Sequence, residues 1–331
     1  MKAETLQRST LSQVFPEGEI YSVSDCEWLG LAAAYYGLES VSLADAAKLP
    51  SDANVVLLLR NSQVNSGLRK ALARARVLVI PISSFDPELE AALYTQRLVT
   101  ITDYQAACAQ GRYWVDNLTN QAGPLVFSAP EADHTERADH SCCCCATPRT
   151  DLTCSFSEDL TAAAWLEPVL EPGQWVSVGS LCEVSLRNDP HEQPRQFSLD
   201  GTAVASGVLV ARDRHCTPAG DARVRAAVEL RRALVAAAPI TLRVDGGVFT
   251  EVRAGGEDFT DAVRGVANPD HGLQVIELGL GTNYNVLPEV RWQVNSQLNE
   301  GAGPVHLGIG DGVTGPHMDF IVREATHRFT T

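Results

Sequence analysis

The stretch VHLGIGDGVTGPHMDFIV, residues 305–322, predicts a strand, a tight turn and a second strand. VHLGIG is β-branched or small, Asp311-Gly312 supplies turn residues, and HMDFIV resumes the strand pattern. Alternate residues of a strand point to the same side, so His317 and Asp319 share one face. With His306 they are two imidazoles and a carboxylate close to one turn, which is a partial metal site. The alternative is a hairpin that carries a few polar residues without a function.

The composition of the chain argues against some classes of binding partner. The chain has 331 residues, a formal net charge of −15 and a pI of about 4.9. This charge argues against a nucleic acid and against an anionic membrane surface as partners. No apolar run is long enough to span a bilayer, and MKAETLQRSTLSQ at the N-terminus has no apolar core of a signal peptide. We therefore expect a cytoplasmic protein.

The cysteines are expected to stay reduced in that compartment. The chain has nine, and four are adjacent, Cys142 to Cys145. Adjacent cysteines lack the spacing of a zinc ribbon. We interpret the run as part of an irregular loop, with a soft-metal or redox role as the alternative.

The first part of the chain, residues 1–120, predicts an α/β domain. Short apolar runs alternate with helical segments, which is typical of a parallel sheet covered by helices. In this pattern LVTIT, residues 98–102, is predicted as a strand. The loops carry neither GxGxxG nor GxxxxGK[ST], so we expect this domain to serve as a scaffold or in dimerisation.

Residues 121–155 predict a linker or long loop, and residues 156–331 predict an α+β domain with a mixed, hairpin-rich sheet. The linker is rich in Pro, Ser, charge and Cys and lacks periodicity. In the second domain, residues 157–170 are predicted as a helix, and Asp200-Gly201 is predicted as a hairpin turn. The fold class is therefore α/β, with a parallel-sheet domain followed by an α+β domain.

Two glutamates lie in otherwise apolar strands. Glu277 lies in VIELGLGTN and Glu183 in SLCEVSL. A carboxylate buried there costs several kcal/mol unless it is paired or binds a metal. The alternative is a solvent-facing residue on a half-exposed strand.

The order of these motifs resembles the C-terminal domain of the aminopeptidase T family of metallopeptidases. The resemblance covers roughly residues 175–325. It implies a two-metal site whose ligands match Glu277, His306, His317 and Asp319, with zinc, cobalt or manganese as the metal. Glu183 matches an earlier glutamate motif, where the resemblance implies a metal ligand or a catalytic base. The sequence departs from the family at Cys182, which replaces a second glutamate, and in the shorter segment between His306 and His317.

The sequence is similar as well to the related 2,5-dihydroxypyridine dioxygenase-like branch. That resemblance implies one Fe²⁺ held by two histidines and a carboxylate. His317 and Asp319 fit two of these places, and His271 or His306 fits the third. We favour iron among the divalent metals, with a small aromatic molecule as substrate.

Three functions remain open at this point. The first is a metal-dependent enzyme, an oxygenase more than an intact aminopeptidase. The second is a non-catalytic peptide-binding protein without a cofactor, which holds a precursor peptide or product of a natural-product pathway by adding it to a sheet edge. The third is a structural α/β protein. We expect a homodimer with its ligand cleft in the C-terminal domain.

Overall fold

The computed structural model describes most of the chain. The described residues are 10–15, 17–24, 30, 37–59, 66–81, 88–120, 123–130, 148–189, 195–213 and 215–330. The cysteine run at 142–145 lies outside them, so the interpretation of that run stays a prediction. In the described part of the chain, no helix is long and apolar enough to cross a membrane.

A five-stranded parallel sheet forms the first layer. Its strands are β1 (Ile20–Ser24), β2 (Glu39–Ser42), β3 (Asn54–Leu59), β4 (Arg76–Pro81) and β8 (Trp175–Ser177), in the order β2-β1-β3-β4-β8. The apolar runs of β3 and β4 are buried, as expected for a parallel sheet covered on both faces.

The described helices between residues 10 and 101 pack around this sheet, and the helix Tyr104–Thr119 extends from it to the core of the antiparallel sheets. They are 3-10 helices at Thr10–Gln13 and Leu43–Lys48, and α1 (Ser66–Ala71), α2 (Leu89–Ile101) and α3 (Tyr104–Thr119). The strand predicted for residues 98–102 is wrong, because α2 continues to Ile101. Leu98 and Val99 are buried in that helix beside the sheet, and this packing outweighs their β propensity.

Two antiparallel sheets follow, which confirms the predicted α/β class with a hairpin-rich second part. The first has seven strands in the order β14-β13-β12-β10-β6-β5-β18: β5 (Leu125–Ser128), β6 (Asp151–Phe156), β10 (Phe197–Ala205), β12 (Ile240–Asp245), β13 (Val248–Ala254), β14 (Glu257–Asp258) and β18 (Thr326–Phe329). The second has six in the order β11-β17-β16-β15-β9-β7: β7 (Ala162–Ala163), β9 (Glu183–Arg187), β11 (Gly207–Ala211), β15 (Val275–Gly281), β16 (Val305–Ile309) and β17 (His317–Val322).

The remaining helices connect these strands. They are α4 (Val178–Cys182), α5 (Pro218–Ala236), α6 (Thr260–Val266) and 3-10 helices at Tyr284–Glu289 and Gln297–Ala302. The two antiparallel sheets share a core, in which Phe249 of β13 meets Phe320 of β17 edge-to-face at 5.3 Å. This core fixes the inner face of the six-stranded sheet and leaves its outer face for polar residues.

Two local predictions for the second part are wrong. The segment 157–170 is not a helix, since it contributes the two-residue strand β7 and otherwise irregular backbone. Asp200-Gly201 is not a hairpin turn, since β10 runs through it. Gly201 has φ +124°, and a Cβ there would clash with the carbonyl oxygen of Asp151. The glycine therefore allows β6 to approach closely.

Strand pairing crosses the predicted domain limits. β8 joins the parallel sheet beside β4, and β5 lies inside the segment 121–155. The domain limits themselves stay a prediction.

A covering segment, residues 284–302, lies between the parallel sheet and the six-stranded sheet. On one side, the hydroxyl of Tyr94 donates to Oδ1 of Asn299 at 2.6 Å and accepts from the amide of Arg291 at 2.9 Å. On the other side, Asn295 bonds both backbone groups of Val210, at 2.9 and 2.8 Å. The segment is thus anchored to α2 and to β11.

The buried side chain of Arg231 reinforces the second anchor. From α5 it donates to the carbonyls of Val208 at 2.6 Å, Trp292 at 2.8 Å and Gln293 at 3.0 Å. Val208 and Val210 lie opposite Phe320 and Met318 of β17, and the backbone groups used in these hydrogen bonds point away from β17. Their outward backbone groups are therefore bonded to side chains of the same chain.

Candidate functional site

A polar face forms on one side of the six-stranded sheet. In β9, Glu183, Ser185 and Arg187 alternate with the buried residues Val184 and Leu186. The apolar residues join the core shared by the two antiparallel sheets, so the polar residues point to the opposite side.

The pairing register extends this polar face over four neighbouring strands, β9, β15, β16 and β17. Arg187 lies opposite Glu277 of β15, Glu277 lies opposite Gly308 of β16, and Gly308 lies opposite Asp319 of β17. His317 lies two residues before Asp319 and therefore on the same face. The sheet thus brings together residues that are far apart in the sequence.

Two glycines make room for the polar side chains. A Cβ on Gly308 would lie 2.6 Å from Oδ1 of Asp319 and 2.9 Å from Cβ of Glu277. A Cβ on Gly279 would clash with the ring of His306, which lies over that position. Glycine at these two positions is therefore a requirement of the site, and neither has a positive φ.

Glu277 is the best-partnered carboxylate of the site. Its side chain is 5% exposed; Oε1 accepts from the hydroxyl of Ser185 at 2.5 Å, and Oε2 lies 3.0 Å from Nη2 of Arg187. Nε2 of His317 lies 3.4 Å from the same Oε2. The buried carboxylate predicted from the apolar strand is therefore paired, with cationic groups of its own chain.

His317 and Asp319 form a buried ion pair, with Nε2 and Oδ1 2.9 Å apart. Nδ1 of His317 donates a hydrogen bond to the carbonyl oxygen of Gly310 at 2.6 Å. Burial lowers the pKa of His317, but attraction to Asp319 and Glu277 outweighs burial and raises it to about 10. Burial alone would raise the pKa of Asp319. Attraction to His317 and the hydrogen bond with it are the larger effect, and they lower this pKa to about 2. At neutral pH the pair is therefore fully charged.

Glu183 and His306 lie deeper in the site, with Oε2 and Nε2 3.6 Å apart. Burial, with repulsion from Glu277 and Asp319, raises the pKa of Glu183 to about 8. In the described structure, neither Oε2 of Glu183 nor Nδ1 of His306 has a hydrogen-bond partner. Polar atoms buried in this way favour a ligand that would complete their bonds.

The structure adds two residues that the sequence analysis missed. Glu300, on the 3-10 helix Gln297–Ala302, is buried, and burial with repulsion from Asp319 and Glu183 raises its pKa well above the usual range. Arg187 is the second. Strand alternation from Glu183 could have placed Arg187 on this face, whereas SQLNEGAG around Glu300 has no periodic signal.

Five predicted site residues converge, and the sixth does not. The five are Glu183, Glu277, His306, His317 and Asp319, all of which line one cavity. His271 does not line it, and its Nε2 lies 4.0 Å from Oδ2 of Asp311. The structure therefore separates His271 from the proposed ligand set.

The cavity, called the cleft below, has a volume of about 450 Å³. Its inner part holds the charged residues described above. Its mouth is formed by Arg187 and Asn188 after β9, by Ala211–Asp213 after β11, and by the turn Gly310–Gly312 after β16. Pockets of this size suit a small molecule or a few residues of a peptide.

The arrangement does not fit the two-metal site that the resemblance implies. In the part of the chain that the structure describes, no group of three or more His, Cys, Asp or Glu side chains is placed to hold a metal ion. Nε2 of His317 faces Asp319, and the guanidinium of Arg187 faces Glu277. Two cationic side chains thus balance the two carboxylates that the metals would need. Cys182 is buried in another core cluster and supplies no ligand to this face.

Comparison with known proteins places this chain in a biosynthetic family. Residues 17–330 match the family described as Crocagin biosynthetic protein CgnE/B. The chain belongs to the CgnE/B family. This membership confirms the natural-product part of the sequence-based interpretation and gives no support to the dioxygenase part.

Two further comparisons accompany the CgnE/B match. Among solved structures, this CgnE/B chain is similar to wild-type AmpT from Thermus thermophilus, with 13% sequence identity and a TM-score of 0.45. The match covers 97% of this chain and 91% of that one. Among curated proteins, none matches the chain.

Proposed function

We propose that this protein is a non-catalytic peptide-binding protein of natural-product biosynthesis, which holds a precursor peptide or its product in the cleft. One observation carries the proposal. Arg187 and His317 bind the carboxylates of Glu277 and Asp319 at 3.0 and 2.9 Å, so cations of the chain itself stabilise the centre of the site. A centre neutralised in this way has no need of a metal ion.

The unbonded atoms around that centre support a binding role. Oε2 of Glu183 and Nδ1 of His306 are buried without hydrogen-bond partners in the described structure. Polar groups that converge in a cleft of about 450 Å³ orient a ligand by hydrogen bonds. Membership of the CgnE/B family indicates a natural-product pathway. A peptide is the ligand class that suits an open cleft of this kind.

The test is calorimetric titration of the protein with a synthetic precursor peptide of the biosynthetic pathway, in buffer containing EDTA. We expect binding with a Kd in the micromolar range or tighter, about −8 kcal/mol, and unchanged peptide mass after long incubation. Glu277→Gln should weaken binding. Glu229→Gln is the matched control, because Glu229 lies on the exposed side of α5.

A metal-dependent enzyme is the second candidate. The contact between Nδ1 of His317 and the carbonyl of Gly310 favours it, because metal-bound histidines commonly orient their free nitrogen in this way. Elemental analysis of protein purified without oxygen and without chelator separates the two candidates. One iron, or two zinc, cobalt or manganese ions, per chain would support the enzyme. Loss of peptide binding in EDTA, or a change in peptide mass, would refute the proposal of a metal-free binding protein.

A further inference from the structure

We propose that the inner end of the cleft binds a primary ammonium group, supplied by the N-terminus or by a lysine side chain of the bound peptide. This inference rests on the proposed function and names the chemical group that the cleft recognises. It rests on the carboxyl groups of the cleft that no cationic side chain of the protein pairs.

Four of the charged groups in the cleft are used by one another. Arg187 pairs with Glu277, and His317 pairs with Asp319 through Oδ1. Two further carboxyl groups, those of Glu183 and Glu300, have no cationic partner closer than the 3.6 Å contact of Glu183 with His306. The inner cleft therefore holds two carboxyl groups that no cationic side chain of the protein pairs.

One acceptor atom there is buried and unbonded. Oε2 of Glu183 has no hydrogen-bond partner in the described structure, whereas Asp319 faces His317 and shares a hydrogen bond with Glu300. Asp319 is 1% exposed, and both residues line the cleft. An unbonded oxygen on a buried side chain that lines a cavity indicates a missing donor, since buried acceptors are normally bonded.

The geometry favours ammonium over other cations. The acceptors come from three separate elements: Glu183 from β9, Asp319 from β17 and Glu300 from the 3-10 helix of the covering segment. An ammonium has three N–H donors that point in different directions, whereas a guanidinium matches one carboxylate with a planar pair of bonds.

The net charge of −15 supplies a long-range attraction for such a ligand. The mouth of the cleft carries Arg187 and Arg212 beside Asp213 and Asp311, so cationic and acidic groups are mixed at the entrance. A peptide would place its ammonium at the inner end and leave its remaining residues at the mouth.

The experiment compares forms of the precursor peptide by calorimetry in EDTA: unmodified, N-terminally acetylated, and acetylated at its lysines. Each is titrated into wild-type protein, Glu183→Gln, Glu300→Gln and the control Glu229→Gln. Thermal unfolding of each variant establishes that it is folded.

We expect one of the two acetylations to weaken binding to the wild type and to Glu229→Gln by tenfold or more, which corresponds to about 1.4 kcal/mol. The form that loses affinity identifies the source of the ammonium. In Glu183→Gln and Glu300→Gln the same acetylation should weaken peptide binding by less than about threefold, because part of the set of acceptors has been removed.

Two outcomes would overturn the inference, and they differ in what they say of the proposed function. If the peptide binds and neither acetylation changes Kd by more than twofold, the ammonium subsite is wrong and peptide binding stands. If an acetylation weakens binding equally in the wild type and both glutamine variants, the ammonium binds elsewhere. If no form of the peptide binds the wild type, both the inference and the proposed function fail.

Discussion

Arg187 of β9 and Glu277 of β15 lie directly opposite each other in the six-stranded sheet, with Nη2 and Oε2 3.0 Å apart. The side chain of Arg187 is 72% exposed, whereas that of Glu277 is 5% exposed. The cation thus reaches from the solvent side onto a buried carboxylate. It neutralises the charge of that carboxylate.

The first prediction is that Arg187→Met lowers the free energy of unfolding by about 1–3 kcal/mol. The substitution leaves the buried charge of Glu277 with His317 alone, and the exposure of Arg187 keeps the loss below that of a fully buried pair. Urea unfolding measures the change. The control is Arg232→Met, which breaks an exposed pair with Glu229 on α5 and should change stability by less than about 0.5 kcal/mol. Equal losses in the two variants would show that Arg187 does not stabilise Glu277.

The same variant should gain affinity for Zn²⁺. Without the guanidinium, Glu277, Asp319 and His317 retain two carboxylates and an imidazole on one face. Calorimetric titration with Zn²⁺ should give tighter binding to Arg187→Met than to the wild type. Tight Zn²⁺ binding by the wild type itself, unchanged in the variant, would support the metal-dependent enzyme instead.

The third prediction concerns pH. The pKa of Glu183 is raised to about 8 in the folded protein from 4.5, so its contribution to stability is complete below pH 4.5 and is lost as pH rises towards 8. His317 has a pKa raised to about 10 from 6.5, so its contribution is complete below pH 6.5 and is lost as pH rises through 10. The pKa of Asp319 is lowered to about 2, so its contribution is lost as pH falls from 3.8 through 2. Stability should therefore decline as pH rises from about 5 to 10.

Urea unfolding between pH 5 and 10 measures this decline. Glu183→Gln should flatten the curve between pH 5 and 8, and His317→Gln should flatten it between pH 6.5 and 10. Glu229→Gln, a surface substitution of the same chemistry, should leave the shape of the curve unchanged. A wild-type curve that rises from pH 5 to 8 would contradict the assignment for Glu183.

The fourth prediction compares two glycines. Gly308→Ala would place a methyl group 2.6 Å from Oδ1 of Asp319, so the polar side chains must move apart and peptide affinity should fall by tenfold or more. Gly265→Ala is the control, because Gly265 lies in α6 and has nothing within 4 Å of a Cβ. Alanine in a helix is more favourable than glycine, so Gly265→Ala should raise stability by about 0.5–1 kcal/mol. Unchanged peptide binding in Gly308→Ala would place the peptide outside the cleft.

Strand alternation predicted much of the site. It placed His317 and Asp319 on one face, and the apolar setting of Glu277 indicated a buried carboxylate; both features are present. Alternation depends only on neighbouring residues of one strand, so a sequence shows it directly.

Other features depend on contacts between distant parts of the chain. Glu300 enters the site because Tyr94 and Asn295 anchor its segment from two sides, and no local pattern reports those contacts. β8 pairs with β4 across about a hundred residues, which no periodicity records. The helix at residues 98–101 is a further case, since burial beside the sheet outweighs local propensity there.

The outer edge of β11 limits how copies of this protein can associate. Arg231 donates a hydrogen bond to the carbonyl of Val208. Asn295 accepts from the amide of Val210 and donates to its carbonyl. A second chain that sought to extend the sheet at these residues would first have to break three hydrogen bonds, all of them buried. Edge-to-edge growth into fibrils is thereby discouraged at β11. The homodimer that we predict from the sequence must use another surface of the molecule.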